Sequence, residues 1–172
     1  MRILDVQAEV IEAPRHPFHF RPELYWGGDK VETALVRVVT DEDLEGQFIP
    51  YIGMGRIIRH IVEKVYRPAL VGEDPLDRER LWFKIHNLDL SAHSPIYAHG
   101  ALDVALWDLI GKHVNMPLYK FLGGYRDRIK TYASTLTLET VEDYAKSVKE
   151  YVSRGYKAIK LHAWGDPKRK LH

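Results

Sequence analysis

Close to the end of the chain, the stretch KAIKLHAWGD sets Lys160 and His162 two residues apart. On an extended strand, side chains two apart share a face, so Ala158, Lys160 and His162 line one side and Ile159 and Leu161 the other. A lysine aimed inward is costly unless it meets an anion. A histidine titrates near neutrality and can take up or release a proton. Together the two types suit chemistry on an anionic small molecule: a cation to hold the charge and an imidazole to move a proton. The spacing by itself is equally that of an edge strand with a solvated polar face.

The elements around the pair have a clear rhythm. IKTYAST, from Ile129, is strand-like. Thr140 with Asp143 three residues on forms a variant capping box. Val141, Tyr144, Ala145, Val148, Tyr151 and Val152 give a helical stripe, Gly155 suits the position after a helix end, and AIKLH follows as a second strand. Pro167 suits the first turn of a further helix. Strand, helix, strand and helix start are the unit of a parallel α/β architecture, whose chemistry gathers at the C-terminal ends of its strands. Lys160 and His162 fall at such an end.

Residues 1–126 follow a different pattern. Residues 2–13 and 31–40 read as strands, Asp41–Asp43 as a turn, and 44–53 as a returning strand. Between the first two lies His16–Lys30, a loop by its prolines and glycines yet rich in aromatic residues. Ile57, Ile58, Ile61, Val62 and Val65 then keep helical spacing, with Pro68 expected to end that helix. Asp77 is placed to cap a second helix bearing Leu81, Trp82, Ile85 and Leu88. Ala98, Ala101, Leu102, Ala105, Leu106 and Leu109 make the stripe of a third, with Asp108 and Lys112 paired on its flank. The fold expected is an α+β domain, a three-stranded antiparallel sheet plus a helical bundle, over residues 1–126. Residues 127–172 are the second unit.

Composition narrows the function. The chain has 172 residues, 45% of them hydrophobic, with a net charge of +1. That balance argues against a nucleic-acid binder, which needs a basic stripe to neutralise phosphates. Without cysteine there is neither a disulfide nor a thiolate metal site. No apolar run approaches the ~20 residues that span a bilayer, and MRILDVQAEVIEAP lacks the apolar core of a signal peptide. A cytoplasmic protein without membrane or nucleic-acid partners is expected. His16 and His19 have an H-x-x-H spacing, but Pro17 intervenes and no third ligand is near, so no metal is assigned to this chain.

AHGALDVALWDLIGKHVNMPLYKFLGG, from Ala98 to Gly124, resembles the signature of the mandelate racemase and muconate-lactonizing enzyme branch of the enolase superfamily. Ala98, Gly100, Ala101, Asp103, Ala105, Trp107, Asp108, Gly111, Lys112, Pro117, Leu118, Leu122 and Gly123–Gly124 carry the match. The resemblance implies a capping domain followed by a (β/α) TIM-type barrel, here truncated, so that the chain is the N-terminal portion of a longer enzyme. It also implies abstraction of the proton α to a carboxylate, with Mg2+ stabilising the enediolate and the Mg2+ ligands expected beyond residue 172.

The pattern's second barrel strand ends in K-x-K; here Lys160-Leu161-His162 keeps the first lysine and replaces the second. By resemblance, Lys160 touches the substrate carboxylate or helps tune the site, and His162 falls at the base position, where a histidine serves as acid or base or only binds substrate. The change favours a sugar-acid dehydratase over a racemase, epimerase or cycloisomerase; a non-catalytic capping or assembly module is the alternative of another class. The two capping loops of the family would place His19, Arg21, Tyr25 and Trp26, and then Tyr51 and Met54, near substrate. Ser134 and Thr135 would lie late on the first barrel strand. The implied partners are a small-molecule carboxylate, the remainder of the barrel and further copies in a homo-oligomer.

Overall fold

The computed structural model describes residues 1–14, 30–50 and 54–163. They form two compact units. Met1–Ala13 and Lys30–Tyr125 belong to the first, and residues 126–163 to the second.

The first unit is a three-stranded antiparallel sheet in the order β1 (Ile3–Pro14), β2 (Lys30–Thr40), β3 (Glu45–Phe48). Alternation writes the buried face of β2 directly: Ala34, Val36, Val38 and Thr40 are all inside. On β1 the alternation skips a beat between Ile3 and Val6, where the Val6 N–H donates to the Asp5 carboxylate. The hairpin turns on Thr40, whose N–H and hydroxyl both donate to the Leu44 carbonyl. β3 is shorter than the strand expected over 44–53. Pairing ends at Val36 opposite Phe48, and Pro50 has no N–H with which to extend a ladder. Its carbonyl instead accepts from the Thr33 hydroxyl at 3.0 Å.

Helices cover one face of this sheet. α1 (Gly55–Ile61) runs into a π-helical segment (Val62–Tyr66) and then α2 (Arg67–Leu70). Pro68 therefore does not end the helix, contrary to the sequence expectation. The Arg67 N–H bonds to the Val62 carbonyl, five residues back, and this wide turn absorbs the donor that proline lacks. α3 (Arg78–Ala92) starts after Asp77 as expected, but the Asp77 carboxylate holds Arg80 rather than the helix N-terminus.

α4 (Ile96–His113) buries every residue of its stripe from Ala98 to Leu109. It also packs on β3 with almost no gap. A Cβ at Gly46 would overlap the Ala105 carbonyl oxygen and sit 2.6 Å from Leu109 Cβ. Beside this contact Asp108 accepts from the Gln47 N–H at 2.8 Å, and Lys112 donates to the Glu45 carbonyl at 2.8 Å and to Asp108 at 2.7 Å. The flank pair read from the sequence is thus a clamp on the open edge of β3. Arg78, nearly buried, ion-pairs with Asp103 and lies 5.0 Å from the Trp107 ring centroid, joining α3 to α4. α5 (Leu118–Phe121) leads to Gly123, whose φ of +90° allows the chain to turn away.

A polar group sits in this core. The Tyr66 hydroxyl donates to Asp89, whose second oxygen meets His99 Nδ1 at 2.8 Å. Tyr66 is fully buried, and burial, followed by the Asp89 carboxylate, pushes its phenol well above the usual range.

The second unit contains β4 (Ala133–Ser134), α6 (Val141–Ser153) and β5 (Ile159–Lys160), with the strands parallel and Ser134 opposite Lys160. Thr140 caps α6 as expected, accepting from the Asp143 N–H at 3.1 Å and donating to its carboxylate at 2.6 Å. Gly155 and Tyr156 close the far end by donating to Val152 and Tyr151. No side chain of α6 is fully buried, because the described residues give it only a two-stranded sheet to pack on.

Two outcomes follow for stability. Gly46→Ala is expected to cost about 3 kcal/mol from overpacking against α4, while the stiffer unfolded chain returns only about 0.4–1 kcal/mol. Urea unfolding measures the difference, and a neutral result would refute the close contact. For Tyr66, the native state keeps a proton that an unfolded tyrosine loses near pH 10. Stability is therefore full below that pH and falls as pH rises through it. Tyr66→Phe should flatten this alkaline slope in a series of unfolding curves above pH 9.

Candidate functional site

β5 delivers its C-terminal end beside that of β4, and the chemistry-bearing residues meet there. The Ala133 N–H donates to Ala158 and the Thr135 N–H to Lys160, at 3.0 and 2.9 Å, which fixes the parallel register. The Lys160 side chain is exposed, and its ammonium meets no acceptor among the described residues. Ile159 is half-buried and Leu161 is 50% exposed.

His162 is the best-held residue of the group. Its N–H donates to the Thr135 hydroxyl at 2.9 Å. Its carbonyl accepts from the Tyr144 hydroxyl at 2.6 Å. Ring Nδ1 lies 2.6 Å from the Thr135 carbonyl oxygen and 3.3 Å from Ser134 Oγ. A carbonyl oxygen can only accept, so Nδ1 carries the proton. In the neutral ring the lone pair then belongs to Nε2, the atom able to take a proton from elsewhere. Ser134 and Thr135, minor candidates by sequence, are the groups that orient this imidazole. Thr135 does so through its backbone carbonyl, for which a sequence has no symbol. Tyr144 looked like one member of an apolar stripe; its i,i+4 spacing with Val148 concealed a hydroxyl with two partners.

The remaining site candidates divide by position. His19, Arg21, Tyr25, Trp26 and Tyr51 lie outside the described residues, as do His16 and Pro167. Met54, in the first unit, precedes α1 with a left-handed φ of 66° and an exposed side chain. Its neighbour Gly55 is pressed on β2, where a Cβ would come within 2.5 Å of the Thr33 carbonyl oxygen.

Charges gather close by within the same unit. Lys30 donates to Glu12 at 3.0 Å, and Arg56 reaches Glu12 at 2.6 Å and also Glu32. An open hollow of about 450 Å³ is lined by Val10, Glu12, Arg56, Arg59, His60 and Glu63. Along the same helical run Arg59 pairs with Glu63 at 3.0 Å. The described residues contain no group of three or more histidine, aspartate or glutamate side chains able to hold a metal ion. None of their helices is long and apolar enough to cross a membrane.

Lys30, followed by Arg56, holds the Glu12 carboxyl below the usual carboxylate range. The contribution of this pairing to stability is present above about pH 4.5 and is lost as pH falls. Carboxyl NMR titration should place Glu12 below its ordinary value and return it toward that value in Lys30→Met, with a smaller change in Arg56→Met. An unmoved Glu12 would show the cluster to be solvent-screened.

Comparison with known proteins gives these features a context. A profile of the mandelate racemase / muconate lactonizing enzyme N-terminal domain matches residues 6–123. RspA of Halomonas elongata, a D-galactonate dehydratase family member, is 34% identical over 134 residues, covering 74% of this chain and 32% of that protein. The L-Ala-D/L-Glu epimerase of Clostridium acetobutylicum is 29% identical over 147 residues, covering 81% of this chain and 40% of that protein. Among solved structures, D-glucarate dehydratase from Agrobacterium tumefaciens, complexed with magnesium, superposes with a TM-score of 0.80 at 35% identity, covering 97% of this chain and 46% of that one. The chain spans less than half the length of each of these relatives. Matched over residues 6–123 by the profile, and sharing its fold with enolase-superfamily enzymes, the chain belongs to the mandelate racemase/muconate-lactonizing enzyme family.

Proposed function

We propose that this chain supplies the capping domain, residues 1–126, and the first barrel strands, residues 127–172, of a magnesium-dependent acid-sugar dehydratase. The observation that carries the proposal is His162, seated at the end of β5 with Nδ1–H held on a carbonyl and Nε2 bearing the lone pair. The similarity to RspA and to D-glucarate dehydratase supports dehydration of a sugar acid. The described residues do not fit a magnesium site, so the ion's acidic ligands are proposed to lie outside this chain. The chemistry assigned here belongs to the chain's own side chains.

In a dehydration of this kind, the proton α to the carboxylate is removed and the β-hydroxyl departs as water. The enol left behind becomes a 2-keto acid. Lys160 would face the substrate carboxylate, its exposed ammonium supplying the charge. His162 Nε2 would take the α-proton or deliver one to the departing hydroxyl; either task needs that nitrogen. The capping-loop candidates His19, Arg21, Tyr25, Trp26, Tyr51 and Met54 are proposed to contact the substrate's hydroxyl-bearing end. The epimerase relative, an L-Ala-D/L-Glu epimerase, supports a second reading, racemisation or epimerisation of a carboxylate substrate. The histidine standing where the racemase pattern has its second lysine weighs against it.

The test is a screen of acid sugars for 2-keto product with the full-length protein, followed by two variants. Lys160→Ala should lose about a hundredfold in turnover, the worth of one preorganised electrostatic contact. His162→Asn should lose about 10²–10⁴-fold. Should KM rise while kcat is kept, His162 only positions substrate. Near-unchanged kinetics in both variants would end the proposal.

A further inference from the structure

The hydroxyl of Tyr144 has a place that packing does not require. It sits between two backbone groups, accepting from the Leu138 N–H at 3.0 Å and donating to the His162 carbonyl at 2.6 Å. Leu138 belongs to the segment joining β4 to α6, and His162 lies two residues past β5. One side chain of α6 thus ties together the exits of both parallel strands. The ladder itself stops at Lys160, two residues before His162, with Thr135 N–H on the Lys160 carbonyl. Beyond that point His162 is held by the Thr135 hydroxyl on its N–H, by Tyr144 on its carbonyl and by the Thr135 carbonyl on its ring.

We infer that Tyr144 is a positioning residue for His162: its hydroxyl fixes the peptide that follows His162 so that Nδ1–H stays on the Thr135 carbonyl and Nε2 becomes the proton-transferring atom. The inference rests on the proposed role of His162 for its catalytic consequence, though not for its geometry. The physical reasoning is short. Without the Tyr144 bond, the peptide that follows His162 loses its carbonyl anchor and can rotate, since the N–H held by Thr135 belongs to the peptide before it. A ring carried on that peptide would then leave a carbonyl acceptor that needs close alignment, since hydrogen bonds weaken steeply as they bend. Free histidine prefers the opposite tautomer, with the proton on Nε2, so a ring released from Thr135 drifts toward the form in which Nε2 cannot act as base. Tyr144→Phe keeps the aromatic ring and its packing and removes only the hydroxyl.

The experiment uses the full-length protein, labelled with ¹⁵N in histidine, and reads long-range ¹H–¹⁵N couplings at a pH where the rings are neutral. His162 is assigned by the set of signals missing from His162→Asn. The wild type should show the Nδ1–H pattern, and Tyr144→Phe should shift toward Nε2–H or a mixture, with helix content unchanged. Thr135→Val serves as a second variant, since it takes the acceptor from the His162 N–H while leaving the Thr135 carbonyl in place; it should move the ring in the same direction. An Nε2–H wild type, or a Tyr144→Phe ring identical to wild type, overturns the inference. Turnover of Tyr144→Phe on the acid sugar found in the screen should fall about tenfold or more, with KM little changed. A shifted tautomer with unchanged turnover would leave the positioning intact and overturn proton transfer by His162, so the two failures can be told apart.

Discussion

The first unit depends on how closely α4 lies on β3. The absence of a side chain at Gly46 lets the Ala105 carbonyl and Leu109 come down onto the strand. Everything else in the unit is arranged around that approach. With the helix this near, Asp108 and Lys112 reach the free N–H and C=O groups of the sheet edge and satisfy them. An open strand edge otherwise invites pairing with another chain. The small alanines at 98, 101 and 105 keep the helix face flat enough for the contact, and leucines at 102, 106 and 109 fill the space beside it. The signature stretch is thus a set of packing instructions: Asp103 holds Arg78, Trp107 lies under its guanidinium, and Gly111 gives room to Leu118.

Much of this was legible from periodicity. The strand over 31–40 and the stripe of α4 are local patterns, and the stripe is reproduced residue by residue. What was not legible is non-local or lies in the backbone. Asp108 and Lys112 read as a local i,i+4 pair, yet their more consequential bonds run to residues 61 and 67 positions away. Pro68 read as a stop because a proline cannot continue an ideal α-helix. The π turn ahead of it is a departure from ideality that no residue type announces. The Asp77 position was right and its bond wrong, because Arg80 competes for the same carboxylate.

The candidate site shows the same division. Spacing drew attention to Lys160 and His162, since two residues on one face of a strand is a statement of geometry. Nothing in the spacing could name the groups that hold the imidazole. On the ring itself these are the Thr135 backbone carbonyl and Ser134 Oγ; the backbone that carries the ring is held by the Thr135 hydroxyl and by a tyrosine hydroxyl hidden in an apolar stripe. The strands being only two residues long in the ladder sense, side chains take over the work of continuing the register past Ser134 and Lys160.

A carbonyl partner for the imidazole has a chemical consequence that a carboxylate would not share. A carboxylate adds a full negative charge, favours the imidazolium strongly and titrates in its own right. The Thr135 carbonyl is neutral at every pH and accepts from Nδ1–H in both ring states. The ring can therefore gain and lose a proton at Nε2 without exchanging its Nδ1 partner or turning in place. That is the requirement for a group asked to remove one proton and return another within a single turnover, since reorientation between the two steps would add its own barrier. It also explains why the holding groups are spread over three elements. The residue after β4 supplies the acceptor, α6 the tyrosine and the segment after β5 the ring itself, so the tautomer is set by the packing of the whole strand–helix–strand unit and not by one neighbouring side chain.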